Sequence, residues 1–280
     1  RQHFAGQVHI AVLGGQNRLV QWQGIAAADS REELLNQARL SATHVDVTAD
    51  DIRALFRWAR AQSFVDSDRL LLAGFSIGAI VGSVAAIREE PSLLGTTLVL
   101  GAGSPAEVMA YCNRIAGQSR EAAKQRLGLD QAQYLEVMRE AFDELDWVKQ
   151  GVRSAEPERY LLIDAARDDC MPEFARDELW RGLGRPERFT LRGTHHGAFL
   201  SMTLVGLDYS NRKIIDFIDR RLASVPRELH PHPRGTGVRC VGPLFGCACL
   251  PVLRAVDVAG IVNGGPLGAP AAVAWTATIW

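Results

Sequence analysis

The sequence predicts an α/β fold, in which a mostly parallel sheet carries helices on both faces. Short apolar runs of the kind that form buried strands recur along the chain, and segments with helical spacing alternate with them. Such alternation is typical of parallel strands joined by crossover helices, which pack on both faces of the sheet. We expect one such domain over residues 1–224.

Five apolar runs are predicted to be strands. They cover residues 8–13, 69–75, 96–100, 160–163 and 188–191. The second contains Leu70-Leu71-Leu72-Ala73, a continuous apolar run that fits a strand buried on both faces.

Helical patterns fall between and after these runs. They lie at residues 32–40, 48–59, 77–87, 172–183 and 211–222. In the second of these, we expect Thr48 to be the N-cap, because Asp50 and Asp51 would then lie in the first turn.

Two segments depart from this alternation. Residues 104–150 contain helical patterns only and are too long for a simple crossover, so we predict a helical cap inserted between two strands, at about residues 104–155. Residues 225–280 are rich in Pro, Gly and Ala and lack clear periodicity. We expect this tail to lie outside the domain.

Charge and hydropathy exclude several classes of protein. The net charge is -1 and no basic run is interleaved with aromatic residues, so we expect no nucleic-acid partner. No apolar stretch is long enough to span a bilayer. The chain begins with Arg1 rather than Met, which indicates a fragment or a processed product.

The cysteine pattern predicts neither a disulfide framework nor a metal site. The five cysteines are Cys112, Cys170, Cys240, Cys247 and Cys249. An odd, scattered set in a chain of this length is not typical of a disulfide-stabilised domain, and the Cys-x-Cys pair near the end is not a zinc spacing. We therefore predict a reducing, cytoplasmic location, with no metal and no organic cofactor.

Ser76 is the candidate nucleophile, at the centre of the motif Gly-Phe-Ser-Ile-Gly. Gly-x-Ser-x-Gly alone is weak evidence and could be a turn that only packs a helix on a sheet. Here it lies between a buried-type strand and a helix rich in small residues, which is the setting of a nucleophile elbow. The N–H of Ile77, at the amino end of that helix, would donate to an oxyanion.

A serine hydroxyl is a poor nucleophile without a base, and the candidate bases are two adjacent histidines. His195 and His196 follow the strand at residues 188–191 and precede the last helix, where this arrangement needs the base. One of the two is expected to be structural. We favour His195 as the base and keep His196 as the alternative.

The acid that orients the base is expected after the strand at residues 160–163. Three aspartates follow it, Asp164 at the strand end and Asp168 and Asp169 in the loop. Asp164 could bond the backbone and Asp169 could cap the next helix, so we assign the acid to Asp168.

Residues 50–222 resemble the bacterial α/β-hydrolases, especially their carboxylesterase-like and dienelactone-hydrolase-like members. Three stretches carry the likeness, namely LLLAGFSIGAIVG around the motif, the acid loop YLLIDAARDDCMP and the histidine loop FTLRGTHHGAFLS. The chain order of serine, acid and histidine is also that of this superfamily. The resemblance implies an α/β-hydrolase fold with Ser76, Asp168 and His195 as a triad and Ile77 as an oxyanion donor.

The chain departs from this family at three points. Thr194 stands where glycine usually precedes the histidine, which leaves His196 open as the base. The early strands of the family are missing, and Gly14-Gly15 provides the oxyanion loop only if it follows the right strand. The tail after about residue 225 has no counterpart.

The resemblance implies a serine hydrolase that cleaves a small-molecule carboxylic ester through an acyl-enzyme intermediate. A thioesterase, a lactone hydrolase or a peptidase would use the same three residues. A catalytically silent domain used for binding is the alternative from another class, because half of the oxyanion hole would be absent if the glycine pair follows another strand.

Overall fold

The computed structural model describes residues 8–14, 20–63, 65–89, 92–113, 115–200, 209–225 and 273–279. Six strands form one sheet: β1 (Val8–Gly14), β2 (Leu71–Phe75), β3 (Gly95–Val99), β4 (Tyr160–Ala165), β5 (Glu187–Leu191) and β6 (Val273–Ile279). The order across the sheet is β1-β6-β2-β3-β4-β5.

The α-helices of the described ranges lie between and after these strands. They are α1 (Trp22–Ala27), α2 (Arg31–Arg60), α3 (Ile77–Glu89), α4 (Pro105–Tyr111), α5 (Ile115–Leu127), α6 (Gln131–Phe142), α7 (Glu173–Gly182), α8 (His195–Leu200) and α9 (Tyr209–Ala223). Short 3₁₀ turns lie at Ser67–Arg69, Asp143–Leu145 and Pro157–Arg159. Within these ranges, no helix combines the length and the apolarity needed to cross a bilayer.

Strands β2 to β5 run parallel, each joined to the next by a segment that contains at least one helix. Strand β6 pairs antiparallel with both β1 and β2, so β1 points the same way as β2. The carboxyl ends of β1 to β5 therefore lie at one edge of the sheet, where open α/β sheets bind their ligands. The predicted α/β fold with a mostly parallel sheet is confirmed.

The two faces of the sheet bury different cores. Leu98 and Leu162 pack with the apolar faces of α2 and α3, whereas Val99 and Ile163 pack with Phe217 of α9. Because neighbouring side chains of a strand point to opposite faces, the two cores lie on opposite sides of the sheet. The central strands are thus covered on both faces, which explains their continuous apolar sequences.

The first two helical patterns of the sequence form one helix, α2, of 30 residues. Ser30 is its N-cap and accepts a hydrogen bond from the N–H of Glu33 at 3.1 Å. The prediction of an N-cap at Thr48 is wrong, because the hydroxyl of this residue donates to the carbonyl of His44 at 2.7 Å inside the helix. Such a bond satisfies the threonine without ending the helix.

The segment between β3 and β4 contains the helices α4, α5 and α6, in the region where we predicted the cap. Tyr134, Val137 and Met138 of α6 are buried in the same core as α2. These helices therefore pack onto the body of the domain along one face. The limits proposed for the domain and the cap stay predictions.

The end of the chain differs from our expectation. We expected residues 225–280 to lie outside the fold, but β6 pairs with β1 over seven residues and meets β2 at Ala73, opposite Thr276. Two strands that are not bonded to each other leave backbone donors and acceptors open, and an extended segment can satisfy both. This pairing is a long-range contact that the composition of the tail does not reveal.

Candidate active site

Ser76 lies in the turn between β2 and α3, with its backbone in the left-handed region at a φ of 55°. Its N–H donates to the carbonyl of Val99 at 2.8 Å, which ties the turn to the neighbouring strand. The turn requires Gly74, because a Cβ at that position would lie 2.3 Å from the carbonyl oxygen of Gly78. The sharp turn holds the serine at the carboxyl edge of the sheet.

A backbone donor lies next to this serine. Ile77 is the first residue of α3, so its N–H has no acceptor one turn back and lies at the positive end of the helix dipole. Gly14 ends β1 at the same edge, while Gly15 lies outside the described residues. The role of Ile77 as an oxyanion donor stays a prediction.

His195 is the histidine that contacts the serine. Its Nε2 lies 2.8 Å from Ser76 Oγ, and the residue is 5% exposed. It follows β5 at the start of α8, and its backbone N–H donates to Asp169 Oδ1 at 3.2 Å. His196 is exposed, and its ring lies edge-on to the His195 ring at 5.6 Å between centroids. The structure therefore places His195, and not His196, beside the serine.

Asp168 lies on the other side of the same imidazole. Both of its carboxylate oxygens approach His195 Nδ1, at 3.0 and 2.9 Å, and its side chain has no exposed area. Oδ1 also accepts from the N–H groups of Cys170 at 2.9 Å and Met171 at 2.8 Å. These two bonds fix the carboxylate, so that it faces the imidazole.

The other two aspartates of this region have different surroundings. Asp169 accepts the backbone N–H of His195, as given above, and so holds the histidine loop against the acid loop. Asp164 points into the buried end of β4, where Arg188 Nε donates to it and Arg176 lies 3.9 Å away. Burial raises the pKa of Asp164 above its ordinary value, although Arg188 and Arg176 oppose this effect.

A disulfide joins Cys112, next to the end of α4, to Cys170 in the acid loop. We expected no disulfide, so this is a correction. The two cysteines are 58 residues apart, and a spacing of that length carries no signal of pairing in a sequence. The N–H of Asn113 also donates to the carbonyl of Asp169 at 2.9 Å. The cap segment and the acid loop are therefore joined twice.

Arg176 also supports the region of the acid loop, and this role was not predicted from the sequence. The residue is 6% exposed, and its Nη1 donates to the carbonyl of Ala165 at 2.8 Å, at the end of β4. An arginine in an amphipathic helix is usually solvent-exposed, and only the fold turns this one inward. It holds the strand end from which the acid loop begins.

No family model matches this chain, and no curated protein matches it. Among solved structures, the enol-lactonase from Burkholderia xenovorans is 16% identical, with a TM-score of 0.38 over 62% of this chain and 73% of that one. Est1E from Butyrivibrio proteoclasticus is 16% identical, with a TM-score of 0.42 over 62% and 69%. The peroxisomal α/β-hydrolase Lpx1 from Saccharomyces cerevisiae is 14% identical, with a TM-score of 0.42 over 66% and 63%.

The architecture of the chain itself identifies its fold. A parallel sheet covered on both faces carries a serine with positive φ between β2 and α3. An aspartate loop follows β4 and a histidine loop follows β5, in the chain order that this fold requires. Because all these loops leave the same edge of the sheet, their side chains meet. The described part of the chain therefore has an α/β-hydrolase fold.

Proposed function

We propose that this protein is a serine hydrolase that cleaves a carboxylic ester through an acyl-enzyme intermediate. One observation carries the proposal: Ser76 Oγ lies 2.8 Å from His195 Nε2, and His195 Nδ1 lies 2.9 Å from Asp168 Oδ2. Nucleophilic acyl transfer needs a nucleophile, a base and an acid that orients the base, joined by hydrogen bonds in this order.

In the first half of the reaction, Ser76 Oγ attacks the carbonyl carbon of the ester while His195 Nε2 accepts the hydroxyl proton. The carbonyl oxygen takes up the negative charge of the tetrahedral intermediate, and the N–H of Ile77 donates to it. The protonated His195 then gives its proton to the leaving alcohol, and the acyl group stays on Ser76.

In the second half, a water molecule attacks the acyl group while His195 accepts a proton from it. The carboxylic acid leaves, and the proton returns to Ser76. Asp168 keeps the neutral imidazole in the tautomer with its proton on Nδ1 and stabilises the charged form. The N–H groups of Cys170 and Met171 keep the carboxylate in this position.

Labelling with a fluorophosphonate probe tests the nucleophile, because the probe bonds covalently to an activated serine. We expect wild-type protein to be labelled and Ser76→Ala to remain unlabelled. Ser63→Ala is the control, since Ser63 is an exposed serine far from the acid and histidine loops in sequence, and it should be labelled like the wild type. Folded wild-type protein that resists the probe would overturn the proposal.

Hydrolysis of a p-nitrophenyl acyl ester tests the base in the same preparations. His195→Ala should lose at least about 10³-fold in kcat, as removal of a triad histidine does. His196→Ala should keep most of the activity, because that side chain is exposed. The opposite pattern, in variants with wild-type melting temperatures, would assign the base to His196.

A further inference from the structure

A cavity of about 540 Å³ opens at the amino edge of the sheet. The segments that precede β2, β3 and β4 form its wall together with the end of α9. Ser76 lies at the opposite edge, and a strand of five residues separates the two edges by about 17 Å. The cavity is therefore a separate site from the proposed active site.

Cationic and hydroxyl side chains line this cavity. They are Arg60, Arg159 and Arg221, with Ser67, Ser92 and Ser224. The arginines donate hydrogen bonds and carry a permanent charge. The three serine hydroxyls already donate to acceptors within the protein. Such a lining fits an anion better than a neutral or cationic ligand.

Arg221 has donors available for a ligand. Its Nε donates to the carbonyl of Leu94 at 2.8 Å, and within the described ranges its guanidinium has no carboxylate partner. Burial lowers the pKa of Arg221 and the neighbouring charge of Arg159 lowers it further, whereas Glu158 and Glu156 oppose this effect. Arg221 therefore lies beside a second positive charge, that of Arg159.

The other two arginines have acidic partners, but these do not neutralise the cavity. Arg60 lies 3.3 Å from Glu89, which also contacts two further arginines of α2 at 3.0 and 3.9 Å. Arg159 pairs with Glu156 at 2.5 Å. Asp68, which is exposed, is the acidic residue of the lining. The lining itself therefore contains three arginines and one carboxylate.

We propose that this cavity binds a small phosphorylated molecule whose phosphate is held by Arg221 and Arg159. The planar fork of a guanidinium matches two phosphate oxygens, which makes arginine a preferred partner of phosphate. The volume lies in the range of about 300–1,000 Å³ that is typical of small-molecule sites, which leaves room for the organic part.

Calorimetric titration of the full chain at constant ionic strength tests the proposal with three probes: ribose 5-phosphate, inorganic phosphate and ribose. We expect ribose 5-phosphate to bind and ribose to give no signal. Tighter binding of ribose 5-phosphate than of inorganic phosphate would identify an organic phosphate as the ligand, and equal affinity would identify free phosphate. The absence of binding by both phosphates at millimolar concentration would overturn the site.

Substitution of Arg221 tests the location. Arg221→Gln should weaken binding by about 10- to 100-fold, the usual effect of losing charged hydrogen bonds. Arg221→Lys keeps the charge without the fork and should lie between this variant and the wild type. The control is Arg220→Gln, because Arg220 is exposed and pairs with Glu187.

The pattern across these variants decides the proposal. Unchanged binding in Arg221→Gln, or equal weakening in Arg220→Gln, would mean that phosphate binds to surface charge in general and would overturn the site. The melting temperature without ligand shows whether each variant is folded. If Arg221→Gln is unfolded, Arg221→Lys decides alone, and unchanged binding in that variant contradicts the role of the guanidinium fork.

The binding test does not involve Ser76. Its result is therefore valid whatever the outcome of the fluorophosphonate labelling.

Discussion

At the scale of single residues, Ser76 has a backbone conformation that few residues other than glycine adopt. Its φ of 55° crowds Cβ against the adjacent backbone, at a cost of about 1–2 kcal/mol. The bond from its N–H to Val99 and the close approach of Gly74 to Gly78 hold the turn in place. In this backbone conformation, Ser76 Oγ lies within hydrogen-bond distance of His195 Nε2. Strain in the turn and the position of the hydroxyl are therefore linked.

This link predicts the order of two variants at position 76. Ser76→Gly should be more stable than Ser76→Ala by about 1 kcal/mol, because only glycine is free of strain at positive φ. Urea unfolding measures the difference. At Ser83, inside α3, the order should be reversed, since glycine destabilises a helix relative to alanine. If the glycine variant is less stable than the alanine variant at both positions, the backbone at Ser76 is not strained.

At the scale of elements, a buried ion pair holds β4, β5 and α7 together below the acid loop. Asp164 lies at the end of β4, Arg188 on β5 donates to it, and Arg188 also contacts Asp177 of α7 at 2.6 Å. The Asp164 side chain is 5% exposed, so its charge depends on these partners. The acid loop that contains Asp168 begins from this strand end.

Removal of one partner should leave an uncompensated buried charge. We expect Arg188→Met to lower the free energy of unfolding by about 3 kcal/mol at pH 8. Burial raises the pKa of Asp164, and the substitution removes the Arg188 charge that opposes this rise, so the folded variant takes up a proton more readily than the wild type. The loss should therefore be smaller at pH 5. Denaturant unfolding at both pH values measures it.

Arg181→Met is the control for this prediction. Arg181 pairs with Asp177, as Arg188 does, but it is exposed. Its removal should change the free energy of unfolding by less than about 1 kcal/mol. Equal losses in the two variants would show that the contact with Asp177, and not the buried pair with Asp164, accounts for the effect.

At the scale of the whole molecule, the disulfide joins parts that lie far apart in the chain. Cys112 belongs to the segment between β3 and β4, and Cys170 lies two residues after Asp168. The bond therefore ties the cap segment to the loop that orients the histidine. Disulfides persist mainly in oxidising compartments. The reducing, cytoplasmic location stays a prediction.

Loss of this disulfide should destabilise the whole fold. For a loop of 58 residues, the chain-entropy account predicts a loss of about 4 kcal/mol, and measured losses are typically about 2–4 kcal/mol. The measurement is denaturant unfolding of the wild type with and without reductant. In the double variant Cys112→Ser/Cys170→Ser, reductant should have no further effect. A wild type with the same midpoint in both conditions would contradict a stabilising bond.

Much of the fold and of the candidate site follows from local patterns. Strands β2 to β4 lie at predicted runs that are largely apolar, because both faces of these inner strands are covered. The edge strand β5 also lies at its predicted run, although it is only partly buried. The motif around Ser76 is the turn expected between a strand and a helix. The loop positions favour Asp168 as the acid and His195 as the base, but Asp169 and His196 are their immediate neighbours in the chain. Neighbouring residues point in different directions, and a pattern does not show which one faces the serine.

The sequence by itself determined the positions of β1 to β5, the alternation of these strands with helices and the chain order of serine, aspartate and histidine, because apolar periodicity and turn residues are local properties. Only the tertiary structure decided that α2 is continuous, that β6 joins the sheet and that Cys112 meets Cys170. It alone also brought Arg159 and Arg221 to one cavity. Each of these depends on contacts between residues far apart in the chain, and such contacts arise from packing, which no local pattern encodes.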